Sequence, residues 1–125
     1  MAKLTFGYWF VRALAQPIRH LLAYCELDFD EVVYSGREQW FEGDKHKLGL
    51  DFPNLPYLID GDLKLTESEA ILKYIPERAG KPELLGRTPE DVAHVDNILA
   101  LTRDLLKLRV LAFNKEWKTA KHEHL

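Results

Sequence analysis

The 125-residue sequence predicts an α/β fold: a strand–helix–strand unit, a long connection, a strand hairpin and a helix, with one further long helix behind them. Three observations predict it. Strand-like residues fill Leu4-Thr5-Phe6-Gly7-Tyr8-Trp9 and Glu31-Val32-Val33-Tyr34, with apolar residues at helical spacing between the two runs. Two short apolar runs flank Asp60-Gly61-Asp62. A helix start at Thr88-Pro89-Glu90-Asp91 opens the longest periodic segment of the chain.

The first strand ends near Trp9, and Gln16-Pro17 opens a helix, because proline is preset for the first helical position. Ile18, Leu21, Leu22 and Cys25 give it an apolar face, and Asp28-Phe29-Asp30 breaks it. Glu31–Tyr34 reads as the second strand, and a strand, helix and strand in so short a span imply parallel pairing. Residues 35–54, with Gly36, Gly43 and Gly49, predict a surface connection holding one short helix. Pro56-Tyr57-Leu58-Ile59-Asp60 and Leu63-Lys64-Leu65 predict the hairpin. Thr66 and Glu69 have the spacing of a capping box for a helix through Ala70, Ile71, Tyr74 and Ile75, which Pro76 is expected to end or kink.

Residues 80–86 read as a linker. From Thr88, a cap, a first-turn proline and two acids predict a helix to about Phe113, with Asn114 as terminator. Its apolar residues, from Val92 through Leu111, cover more than one face, so the helix is expected to want neighbours on two sides. The element order is that of a thioredoxin-like domain, assigned to residues 1–82, with residues 83–125 as a helical appendix.

Composition narrows the function classes. Hydrophobic residues make up 46% and charged residues 30%, as a packed core requires. The net charge of −3, with no basic stripe, argues against nucleic acid as the main partner. No apolar run approaches the roughly 20 residues that span a bilayer, and the start lacks the apolar stretch of a signal peptide, so no membrane role is expected. Cys25 is the lone cysteine, which excludes an internal disulfide and Cys-x-x-Cys redox chemistry and favours a cytoplasmic setting. The five histidines lack metal-ligand spacing, His122 and His124 included, and no metal is expected. Lys115, Lys118 and Lys121 read as a solvated face.

Several segments resemble the mu class of cytosolic glutathione transferases. They are Gly7-Tyr8-Trp9 with Arg12 after it, the run Leu48-Gly49-Leu50-Asp51-Phe52-Pro53-Asn54-Leu55-Pro56-Tyr57-Leu58-Ile59-Asp60-Gly61, and Leu65-Thr66-Glu67-Ser68-Glu69-Ala70-Ile71. The resemblance covers residues 3–79 closely and 88–113 more loosely, and the family's chains continue through a complete helical domain. It implies that glutathione is the co-substrate, bound and ionised for attack on a small electrophile, within a homodimer. Two alternatives stand beside it: a truncated, non-catalytic subunit with a structural or protein-interaction role, and docking onto a heterologous protein partner.

The resemblance also implies roles for particular residues. A free thiol has a pKa near ~8.5, and lowering it by about two units takes roughly 2.7 kcal/mol of preference for the anion. A phenol donating to sulfur can supply much of that, and the resemblance gives Tyr8 this role; packing at a strand end is the alternative. Asn54, Leu55 and Pro56 match the loop whose proline is cis and whose leucine backbone pairs with the cysteinyl part of glutathione. Glu67 and Ser68, at a helix start, match the pair that holds the γ-glutamyl carboxylate and amine, although the mu class usually has glutamine at Glu67. Trp40 and Lys45 match the clamp on the glycine carboxylate, although Trp40 stands one residue further from Leu48-Gly49 than in the mu pattern. Trp9 and Leu14 match pocket-lining residues, with core packing as the alternative. Asp104 aligns with an acid that reaches the partner subunit's glutathione, and Phe52 with an aromatic key inserted into the neighbour, ordinary burial being the other reading. Ala13 stands where the class usually has glycine.

Overall fold

The computed structural model describes residues 3–113. The chain divides into two compact units, residues 1–85 and 86–125. The first holds β1 (Leu4–Trp9), α1 (Ala15–Tyr24), β2 (Phe29–Tyr34), β3 (Tyr57–Asp60), β4 (Leu63–Thr66) and α2 (Ser68–Arg78). The four strands form one mixed sheet in the order β2-β1-β3-β4, with β1 parallel to β2 and antiparallel to β3.

Strand alternation sorts the sheet into two faces. Leu4, Phe6 and Tyr8 are buried on one, in a core with Ile18 and Leu22 of α1 and Ile71 and Ile75 of α2. Each such side chain contributes about 1.5–3 kcal/mol when fully buried. The other face is aromatic. Gly7 lies opposite Tyr57, and a Cβ at Gly7 would collide with the Tyr57 ring. Trp9 lies opposite Tyr34 and meets it edge-on at 6.3 Å. Trp40 stacks on Tyr57 at 6.1 Å and meets Tyr34 edge-on at 5.4 Å. Across the core, Asp60 accepts hydrogen bonds from the Tyr74 hydroxyl (2.7 Å) and from Arg78 (2.5 Å), tying the hairpin to α2.

Several local expectations are corrected. Phe29 and Asp30 belong to β2, because β1 supplies ladder partners at Leu4 and Thr5. The connection holds two short turns, a π turn at Gln39–Gly43 and a 3₁₀ turn at Asp44–His46. The expected capping box is absent: Thr66 is held in β4 opposite Tyr57, so α2 starts one residue later, at Ser68, with Glu67 as its cap and no side-chain cap hydrogen bond. Pro76 does not end α2, for the helix runs to Arg78 with the proline buried. Pro82–Leu85 forms a 3₁₀ turn.

The second unit carries α3 (Pro89–Phe113). Its start follows the sequence, with the Thr88 hydroxyl accepting from the Asp91 N–H at 3.1 Å. Val92, Ile98, Leu101, Leu105 and Leu108 are exposed, while Val95, Leu99 and Leu106 are half-buried. The readings for Asn114, Lys115, Lys118, Lys121, His122 and His124 lie outside the described residues.

Candidate functional site

The register of the sheet brings distant segments to one end of it. Gly7 pairs with Tyr57, and Tyr57 pairs with Thr66. The residues just beyond these pairs are Tyr8, Pro56 and Glu67, so the end of β1, the loop before β3 and the start of α2 are neighbours by construction. Trp9 pairs with Tyr34 at the same end, where the 39–46 segment begins to cross the aromatic face. Tyr8 is 5% exposed.

The Leu55–Pro56 bond is cis. The Leu55 N–H donates to Asn54 Oδ1 at 2.9 Å, so an incoming acceptor there replaces an internal hydrogen bond. Asn54 Nδ2 in turn donates to Glu67 Oε1 at 3.4 Å, which joins the loop to the helix start. Glu67 has φ 71° and ψ 118°, a region that L residues rarely occupy and that is found where surrounding structure enforces it. Its carbonyl accepts from the Ile71 N–H at 3.1 Å, and half-buried Ser68 is the first helical residue. A helix start with no side-chain cap presents backbone N–H groups and a positive dipole end to an anion.

The connection after β2 supplies cations. Arg37 and Lys45 stand 4.6 and 5.0 Å from the Phe41 ring centroid, and Trp9 flanks the same ring at 6.0 Å. Arg37 was not singled out from sequence, yet Arg37, Phe41 and Lys45 recur every four residues, the spacing at which helical side chains meet. Trp40 is 2% exposed and belongs to the aromatic core. Tyr34, Tyr57 and Asp44 were also missed. The Tyr34 hydroxyl donates to Asp44 Oδ2 at 2.7 Å and lies 3.0 Å from the Tyr57 hydroxyl. Burial first, then the hydrogen bonds to Tyr57 and Asp44, push the Tyr34 hydroxyl far above the ordinary phenol range, so it keeps its proton.

The remaining candidates are dispersed. Half-buried Leu14 precedes α1, next to Ala13, whose φ of 33° explains why glycine suits that position. Phe52 is 77% exposed, which overturns ordinary burial for it. Asp104 lies in the second unit, exposed on α3 and 3.0 Å from Lys107. Cys25 is buried, and desolvation raises its thiol pKa above the usual value. Among the described residues, no group of three or more His, Cys, Asp or Glu could hold a metal ion, and no helix is long and apolar enough to cross a membrane.

Set against known proteins, residues 4–77 match the sequence family described as glutathione S-transferase, N-terminal domain. A class-mu 26 kDa glutathione S-transferase isozyme of Schistosoma mansoni is 43% identical over 122 residues, covering 96% of this chain and 55% of that protein. Glutathione S-transferase Y1 of Cricetulus longicaudatus is 44% identical over 130 residues, covering 98% and 58%. Among solved structures, the glutathione S-transferase Blo t 8 superposes with a TM-score of 0.80 at 36% identity, over 94% of this chain and 54% of that one. The chain thus spans about half the length of the relatives it matches.

Proposed function

The chain belongs to the glutathione S-transferase family, and on that premise we propose that it binds glutathione at this end of the sheet and stabilises its thiolate for attack on a small electrophile. The observation that carries the reading is the convergence of Tyr8, the Asn54-Leu55-Pro56 loop and the Glu67-Ser68 helix start, which are far apart in sequence and adjacent through the ladder pairs Gly7–Tyr57 and Tyr57–Thr66. Glutathione carries two carboxylates, an amine and a thiol, and the site offers a group for each.

In this reading the α2 start receives the γ-glutamyl carboxylate at Ser68 and its neighbouring N–H groups, and Glu67 takes the amine. The Leu55 backbone pairs with the cysteinyl unit as an added strand would. Lys45 takes the glycine carboxylate, with Trp40 supporting the segment from the core. Trp9 and Leu14 line the same pocket. The Tyr8 hydroxyl donates to the sulfur, supplying much of the roughly 2.7 kcal/mol that a two-unit drop in thiol pKa requires. The reaction is then a detoxifying conjugation in the cytoplasm, where thiols stay reduced. The proposed assembly is a homodimer, supported by the exposure of Phe52 as an aromatic key, with Asp104 reaching the neighbour's glutathione.

Calorimetric titration tests the binding. Saturable glutathione binding is expected, and Ser68→Ala should weaken it. A folded chain that shows no heat of binding at millimolar glutathione refutes the proposal.

A further inference from the structure

The segment that carries Lys45 is one residue longer than the mu-class pattern between Trp40 and Leu48-Gly49, and its first turn is wider than an α-helical one. The turn widens into a π turn at Gln39–Gly43, and the Asp44 N–H donates to both Gln39 O and Trp40 O. Such insertions recur at functional sites. The chain then leaves helical geometry at Gly43, with φ −95° and ψ −101°, before the 3₁₀ turn Asp44–His46. A break of that kind leaves the following residue free to swing unless something holds it.

Both ends of the segment are held. Gln39 Oε1 accepts from the Ser35 and Gly36 N–H groups at 3.0 and 3.2 Å. At the far end, Asp44 Oδ2 accepts from the Tyr34 hydroxyl at 2.7 Å, and the Asp44 carbonyl accepts from the Lys47 N–H at 3.0 Å. Tyr34 has a single hydroxyl proton, and a carboxylate can only accept it, so Tyr57 must donate to the Tyr34 oxygen across their 3.0 Å contact. The result is a directed chain, Tyr57 to Tyr34 to Asp44. It starts on the β3 residue packed against Gly7 and ends on the residue before Lys45. Tyr34 and Tyr57 are 3% and 1% exposed, so both hydroxyls depend on these partners.

We propose that Tyr34 and Asp44 are positioning residues for the glycine end of glutathione: through this chain they hold the widened 39–46 segment so that the Lys45 ammonium stands where the glycine carboxylate arrives. The inference rests on the glutathione reading above. It assigns Tyr34 and Asp44 no contact with the thiol, so they act on affinity for one end of the ligand and leave sulfur chemistry alone.

The test compares glutathione with γ-glutamylcysteine, which lacks the glycine, by calorimetry. Tyr34→Phe keeps the ring and removes the hydroxyl. It should weaken glutathione about tenfold and leave γ-glutamylcysteine within about twofold, the difference being the held charge–charge contact. Asp44→Ala should reproduce that pattern, and Asp44→Asn, whose amide oxygen still accepts a hydrogen bond, should restore it. Because Asp44 is half-exposed, its variants decide the matter if Tyr34→Phe does not fold. Equal weakening of both ligands would reveal a general loss of packing and overturn the inference, as would unchanged glutathione binding in Tyr34→Phe and Asp44→Ala. A wild-type chain that binds both ligands equally well overturns this inference alone. One that binds neither overturns the glutathione reading, and this inference with it.

Discussion

Glu67 offers the sharpest test of the site's backbone. Its φ of 71° and ψ of 118° lie outside the regions open to residues with a Cβ, and holding an ordinary residue there costs about 1–3 kcal/mol. Glycine does not pay that cost, although its unfolded chain gains about 0.4–1 kcal/mol of conformational freedom. The side-chain contact at stake is a 3.4 Å hydrogen bond from Asn54 in an exposed setting, of small value. Glu67→Gly and Glu67→Ala both delete that contact, so their difference isolates the backbone. At an ordinary site alanine wins by the entropy difference. Here glycine should win by about 1 kcal/mol, a rise in Tm of roughly 4–8 °C for a domain of this size. Thermal and urea unfolding of the two variants measure this directly. Both variants should also lose glutathione affinity, because the group opposite the amine has gone. A Glu67→Gly variant no more stable than Glu67→Ala would show that the conformation stores no strain and refute the reasoning.

Two further outcomes follow from the geometry. Tyr8→Phe should raise the apparent thiol pKa of bound glutathione and slow conjugation by roughly 10- to 150-fold, equivalent to about 1.5–3 kcal/mol, and an unchanged pH–rate profile would remove Tyr8 from the chemistry. Burial alone would raise the Asp60 pKa, but the hydrogen bonds from Arg78 and Tyr74 outweigh it and hold the carboxyl below its usual 3.8. A depressed carboxylate stabilises the fold fully above its unfolded value and loses that contribution as pH falls through the folded one. Stability should therefore decline below about pH 4. Asp60→Asn should flatten that decline in acid unfolding curves while lowering stability at neutral pH.

Much of the fold was written in local signals. The run Leu4–Trp9, the turn Asp60-Gly61-Asp62 and the start Thr88-Pro89 each carry chemistry that fixes backbone without help from afar, and each element stands where that chemistry puts it. The misses are places where a distant partner decides. Thr66 looks like a helix cap in sequence, but Tyr57 claims it for the ladder. Phe29 and Asp30 look like a break until β1 pairs with them. In the candidate site, Tyr8, Leu55 and Glu67 were legible through their motifs. Asp44 was not, because its importance comes from a tyrosine on another element, and neither residue is distinctive in its own surroundings. Glu67 was read as a chemical group, and its unusual backbone became visible only in three dimensions.

The sheet order also bears on how the chain is made. Of the four strands, β1 is made before the other three yet occupies the middle of the sheet, and its antiparallel neighbour spans Tyr57–Asp60. At synthesis rates of about 5–20 residues per second, the edge of β1 that β3 will cover stays open for roughly 3–10 s after β1 emerges. During that interval Leu4, Phe6 and Tyr8 can find only α1 and β2 for shelter. Any β1–α1–β2 structure that forms in that interval carries one unpaired central edge, and that edge is where a holding chaperone would have the most to protect.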